Sequence, residues 1–244
     1  GNGAACGGAS GEPPWRGEER PSNVELDDQH GHQLSAADLA WIEEAEKMIA
    51  DTPWVHTHAK SPTSPVDKYK YLKENDPIVS IMGIGMSEGT KIADFLNLLT
   101  YRDTEQFCKL AHQSDPSFRT GKMIAQDKHH ALYWGQWNGF PVCDRDFVWR
   151  GLDVQQSARR AFSLSKNVES AEMPPPGRSV VRGEVNAAWL VEEAEDGRSC
   201  KLVYVVQLDP KGWVPAWLVN MVASDQADSV ARILELVERA KGKG

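Results

Sequence analysis

The sequence has 244 residues, 41% hydrophobic and 25% charged, with 27 basic against 35 acidic side chains and a net charge of −8. That length suffices for one large domain or two small ones with a real core, and the hydrophobic fraction excludes a wholly disordered chain. The acidic balance disfavours a general nucleic-acid binder, which needs cations to displace counterions from phosphates, and no apolar run approaches the roughly 20 residues of a bilayer-spanning helix, so a soluble protein is expected.

Residues 1–33 are rich in Gly, Pro, Ser and charge and poor in aliphatic side chains. They cannot bury enough apolar surface to offset the entropy of ordering, so a flexible N-terminal tail is expected, open to a protein partner, with a folded domain over residues 34–241. Gly1 stands where a methionine would begin a nascent chain, which predicts trimming or processing. Ser35 then reads as an N-cap with Asp38 in the N3 position of a capping box. Leu39, Ile42, Ala45 and Ile49 follow at helical spacing, and Pro53 closes this first helix.

From Trp54 to Glu88 the pattern becomes extended. Asp67 to Leu72 alternates charged and aromatic residues, and Ile78 to Met86 is an apolar run broken by Gly83 and Gly85, which read as a bend or bulge. A second helix is expected over Lys91 to Ala111, ended by Asp115-Pro116. Strands are expected at Lys122–Gln126, Ala131–Trp137, Asp146–Val154, Ala161–Val168, Val180–Val191 and Leu202–Leu208, separated by turn residues such as Asn138-Gly139 and Asp196-Gly197. Short connections imply antiparallel pairing. The last segment, Pro215 to Ala240, is the longest helix, with Pro215 suited to its first turn. This order predicts an α+β fold: a helix lying on one face of a large antiparallel sheet.

The catalytic inventory is thin. No Gly-x-Ser-x-Gly, Walker loop, His-Glu-x-x-His or dinucleotide fingerprint is present, and Gly83-Ile84-Gly85 is too short a signal for a phosphate loop. His56 and His58 alternate along an expected strand and His129 and His130 adjoin in a turn, but no partner sits at a metal-ligand spacing, so no metal is expected. Asp144 and Asp146 around Arg145 read as strand-end ion pairing. Cys6, Cys108, Cys143 and Cys200 include no Cys-x-x-Cys pair, so reduced thiols inside the cell are the default. No enzyme is expected.

The distinctive number is nine tryptophans, against six Phe and five Tyr. Trp134, Phe147, Trp149, Trp189, Tyr204, Trp213 and Trp217 fall in strands or at the start of the last helix. Beside them stand small residues: Gly151, and on one face of Val180–Val191 the series Val181, Gly183, Val185, Ala187, Trp189 and Val191. Large beside small makes either a tight core or a pocket wall; the pattern alone does not separate the two.

Tyr133-Trp134, Phe140-Pro141 and Arg145-Asp146-Phe147-Val148 resemble the middle of a START (steroidogenic acute regulatory protein-related lipid transfer) domain. Val180-Val181-Arg182-Gly183-Glu184 resembles a late strand of that family, and the run from Asp209-Pro210-Lys211-Gly212-Trp213 to Asn220 resembles its approach to the C-terminal helix. The resemblance covers about Ala36 to Arg239 and is greatest to the phosphatidylcholine-transfer-protein branch. It implies a helix-grip fold, a curved antiparallel sheet wrapped around the long C-terminal helix, with a tunnel for one lipid and no catalysis.

Under that resemblance Trp134, Phe147, Trp149, Gly151, Trp189, Tyr204, Trp217 and Met221 would contact lipid. Phe140 and Pro141, in the Asn138–Asp144 loop, would form a gate with Trp213 and Val214. The implied partners are the lipid and, transiently, a membrane surface, from a cytoplasmic location or an organelle reached after loss of a targeting peptide. A lipid sensor or structural subunit of the same fold, without transfer activity, is the alternative. One departure is informative. Sterol- and phosphatidylcholine-carrying members place an inward arginine three residues after Arg-Asp-Phe-Val, where this chain has Gly151; Arg150 falls on the opposite strand face. A sterol, diacylglycerol, other fatty acyl lipid or carotenoid thereby gains ground over a phospholipid, with Asp153 and Gln207 as polar anchors.

Overall fold

The capping signal at Ser35 sets where the fold begins. In the computed structural model, which describes residues 34–241 except 60–64, 75, 77, 128 and 175, helix α1 runs Ala36–Ala50. The Ser35 hydroxyl oxygen accepts from the Asp38 N–H, and the Asp38 carboxylate accepts from the Ser35 N–H, closing the box with Asp in the usual Glu position. The expected tail lies outside the described residues.

Three strands follow, β1 (Val55–His58), β2 (Val66–Leu72) and β3 (Val79–Glu88), then helices α2 (Ile92–Leu99) and α3 (Thr104–Ser114). The sequence pattern predicted one helix over Lys91–Ala111; the structure breaks it. Thr100 is extended, and Asp103 caps the second piece by accepting from the Gln106 N–H at 2.8 Å. A short acidic side chain that offers the backbone an alternative bond outweighs the run of apolar periodicity.

Strands β4 (Phe118–Gln126), β5 (His130–Trp137), β6 (Asp144–Ser157), β7 (Arg160–Asn167), β8 (Val180–Arg182), β9 (Glu184–Glu193) and β10 (Ser199–Asp209) precede the last helix, α4 (Ala216–Lys241). They join one sheet in the order β1-β2-β3-β10-β9-β7-β6-β5-β4. All neighbours on that path are antiparallel; β8 alone is off it, paired in parallel with β6. The single strand expected over Val180–Val191 is therefore two. The Gly183 N–H leaves the ladder to bond the Asp146 carbonyl at 2.9 Å, and a Cβ at Gly183 would collide with the Phe147 ring.

Central strand β10 is buried on both faces, so its sequence reads as a continuous apolar run. Its alternate residues serve two cores. Val203 and Val205 join Ile42, Ala45 and Ile49 of α1 on the outer face, while Leu202, Tyr204 and Val206 face Val230, Ile233 and Val237 of α4 on the inner one. Gly83 and Gly85 are not a bend. Strand β3 runs straight through them, and a Cβ at Gly83 would lie 2.7 Å from the Ala227 carbonyl oxygen, one at Gly85 2.7 Å from Leu234 Cδ1. The glycines are where α4 seats on the sheet.

Candidate functional site

Strand β6 lays out the site by parity. Side chains two residues apart share a face, so Arg145, Phe147, Trp149, Gly151 and Asp153 all point to the concave side, and all five line one cavity beneath the N-terminal half of α4. The cavity measures about 600 Å³, within the range of small-ligand pockets and far above a packing defect. Its other walls come from Tyr133 and Trp137 of β5, Ala187 and Trp189 of β9, and Tyr204 and Val206 of β10. Leu218, Met221 and Val222 of α4 close it over.

Rings stack along the wall. Trp189 and Tyr204 lie 4.1 Å apart at 18°, and Tyr133 and Trp149 lie 5.4 Å apart at 22°. Their flat faces supply a broad apolar surface without filling the volume, because neighbouring positions are Gly151 and Ala187. Burial raises the hydroxyl pKa values of Tyr101, Tyr133 and Tyr204 well above the ordinary phenol value, so these groups stay neutral donors.

Polar groups gather at three places. Beside α4, the Asp115 carboxylate accepts from Ser117, from Trp137 Nε1 at 2.9 Å and from Gln226 Nε2 at 3.1 Å, fastening the helix across the cavity. At the mouth, the Arg145 guanidinium donates to the Pro210 and Lys211 carbonyls at 3.0 and 3.1 Å and to that of Cys143, tying β6 to the residues that lead into α4. Its burial lowers its pKa from the ordinary arginine value. Deep inside, burial pushes the Asp153 carboxyl up to about 6, against hydrogen bonds to Ser163 and Thr100 that favour its charged form.

Of the residues singled out by sequence, Phe147, Trp149, Gly151, Trp189, Tyr204 and Met221 line the cavity, and Phe140 and Val214 stand at its mouth. Pro141 and Trp213 adjoin the mouth without lining it. Trp134 is on the other face of β5, where its indole N–H donates to the buried Asp146 carboxylate at 2.9 Å, itself clasped by Arg182. Trp217 is 57% exposed on the outside of α4. Gln207 lies away from the cavity, in a shallow outer groove beside Trp41. Tyr101, Tyr133, Trp137, Asp115 and Gln226 line the cavity without having been singled out. Register would have found the second of these: Trp149 pairs directly with Tyr133, and directly paired residues share a face. The same register gives Trp137, paired with Arg145 on that face; the others depend on the helix break and on contacts distant in sequence.

His56 lies 3.5 Å from Asp67, and His130 Nε2 lies 2.8 Å from Asp38. Among the described residues no group of three or more His, Cys, Asp or Glu could hold a metal ion, and no helix is long and apolar enough to cross a membrane.

A curved sheet gripping a long helix over an aromatic-lined cavity defines a helix-grip domain. Comparisons with known proteins narrow the class. Residues 123–240 match the START domain family. The phosphatidylcholine transfer protein of Rattus norvegicus is 28% identical over 171 residues, 66% of this chain and 73% of that protein. The crystal structure of human STARD10 superposes with a TM-score of 0.68 at 17% identity, covering 84% of this chain and 81% of the other. Human StAR-related lipid transfer protein 5 gives a TM-score of 0.69 at 16% identity, with 84% and 96% covered. The chain has the helix-grip fold of these structures, and its residues 123–240 match the START domain family.

Proposed function

We propose that this protein binds one lipid molecule in the cavity between the sheet and α4 and carries it between membranes, without catalysing a reaction on it. The observation that carries this reading is the cavity of about 600 Å³, walled by the rings of Phe147, Trp149, Trp189 and Tyr204. Each methylene moved from water into such a space contributes roughly 0.8 kcal/mol, so an enclosed chain of ordinary length can compete with a bilayer. The matches to proteins named for lipid transfer support the same reading.

Loading needs an opening and a surface to dock on. Phe140 is 80% exposed, Trp213 79% and Met221 54%, and the first and last of these also line the cavity. Apolar rings left in water around a ligand portal suit insertion among lipid headgroups, where an indole keeps its N–H wet. That placement supports a transient membrane contact at this rim, with the Asn138–Asp144 loop and the start of α4 as gate.

The test is native mass spectrometry of the purified full chain, paired with transfer between donor and acceptor liposomes. A stoichiometric apolar adduct and vesicle-to-vesicle transfer are expected. Trp149→Arg is expected to lower uptake severalfold while the protein still unfolds cooperatively. A protein that neither retains nor moves lipid would overturn the carrier role and leave the fold alone.

A further inference from the structure

The cavity's two charged lining groups on β6 are far apart and unequal in availability. Arg145 and Asp153 lie on the same strand face, about 26 Å apart at ~3.3 Å per residue. The guanidinium at the mouth is occupied by the carbonyls of Cys143, Pro210 and Lys211. The carboxyl at the far end has only small hydroxyl partners, Ser163 and Thr100. Among the described residues that line the cavity, Arg145 is the sole lysine, arginine or histidine. The acid is therefore the dominant polar feature of the deep end, with no cation to neutralise it.

The helix break brings Thr100 and Tyr101 to this end, and Tyr101 packs edge-on to Tyr133 with ring centroids 5.7 Å apart. Gly151, the preceding inward residue on β6, leaves room for the Tyr133 ring, whose edge lies 3.0 Å from where a Cβ would stand, and Asp153 and Ser163 line the same cavity beyond it. A buried carboxylate repels a second anion strongly where water is excluded, whereas a hydroxyl or ammonium donates to it. The neutral acid still has a carbonyl oxygen to accept from such a donor.

We propose that Asp153 selects ligands whose buried polar end is a hydrogen-bond donor, a hydroxyl or an amine, and excludes those that would place a phosphate or carboxylate there. The selection rests on the carrier reading and refines it. Ser163 and Thr100 orient the carboxyl, the aromatic walls hold the chain, and Arg145 stays at the portal as a structural tie.

Four probes with one chain and different ends test this: oleyl alcohol, oleylamine, oleic acid and oleyl phosphate, each competing below its micelle concentration with a neutral fluorescent lipid bound to the full chain. The alcohol and the amine are expected to compete about tenfold or more better than the acid and the phosphate, the effect of one hydrogen bond to a charged group. Asp153→Leu is expected to erase that preference without weakening the phosphate. The nearly isosteric Asp153→Asn, which secures the comparison if the leucine variant fails to fold, is expected to keep the alcohol and lose the advantage of the amine. Wild-type protein that binds all four alike, or a preference unmoved in both variants, overturns the selection and leaves the carrier reading standing. Wild-type protein that binds neither the fluorescent lipid nor any probe overturns both.

Discussion

The two halves of α4 rest on the same face of one sheet and meet opposite surfaces. From Ala223 to Val237 the helix is pressed onto β3, with Ala227, Val230, Ile233 and Val237 buried, Gly83 admitting its backbone and Gly85 the side chains of Val230 and Leu234. From Ala216 to Val222 it spans the cavity, with Leu218 and Val222 facing inward, Met221 on the cavity rim and Trp217 in water. The difference lies in the facing strands. Where they present glycine, the helix sinks until the space is filled; where they present rings propped apart beside Gly151 and Ala187, it is held off and fastened by Asp115 and Gln226 instead. One helix is thus core at one end and cavity wall at the other.

The sharpest way to break this contrast is to add one methyl group on each side of it. Gly83→Ala places a Cβ 2.7 Å from a backbone oxygen that cannot swing away, and is expected to cost about 3 kcal/mol in urea unfolding. Gly151→Ala meets the Tyr133 ring edge at 3.0 Å, a side-chain contact that has to give by only a few tenths of an ångström, so a smaller loss of about 1 kcal/mol is expected. Equal losses would mean that the deep wall is as tightly filled as the helix seat.

Truncating the helix itself gives the next largest effect. Ile233→Ala removes a side chain that is 1% exposed and should cost about 3 kcal/mol, whereas Met221→Ala, at 54% exposure, should stay within about 0.5. A Met221 loss close to that of Ile233 would make the N-terminal half part of the core.

The smallest effect belongs to the outer face and serves as a control. Burial opposes ionisation of Asp38, but hydrogen bonds from Ser35 and His130 outweigh it and hold the carboxyl below its ordinary 3.8. Its contribution is therefore complete above that value and is lost as the pH falls through the lower folded one. Asp38→Asn should cost about 1 kcal/mol at neutral pH and flatten the acid limb of the stability profile. Lipid uptake should be untouched, since Asp38 fastens α1 on the side away from the cavity.

Much of the architecture is legible in local signals. The Ser35–Asp38 box, Pro215 before the last helix and the alternation of β6 are read from neighbours a few residues apart, and each appears where the pattern places it. The cavity residues are legible only where strand parity is: Phe147, Trp149 and Gly151 follow from one another, while Trp134 is as aromatic as Tyr133 and faces the other way. Size and chemistry identify a candidate side chain; the register of the neighbouring strand decides which face it takes.

What the sequence determined by itself was the α+β order, the antiparallel sheet, the long closing helix and an excess of rings beside small residues, because propensity, capping and period are properties of adjacent positions. Whether those rings would fill the interior or enclose space was decided only in three dimensions. It turned on Asp103 interrupting a helix, Gly183 leaving the ladder for Phe147, and Gly83 and Gly85 letting one end of α4 sink while the other stayed raised. The first is a local cap that a run of apolar periodicity hid; the other two are contacts between residues far apart in the chain, and volume is set by such contacts rather than by any local preference.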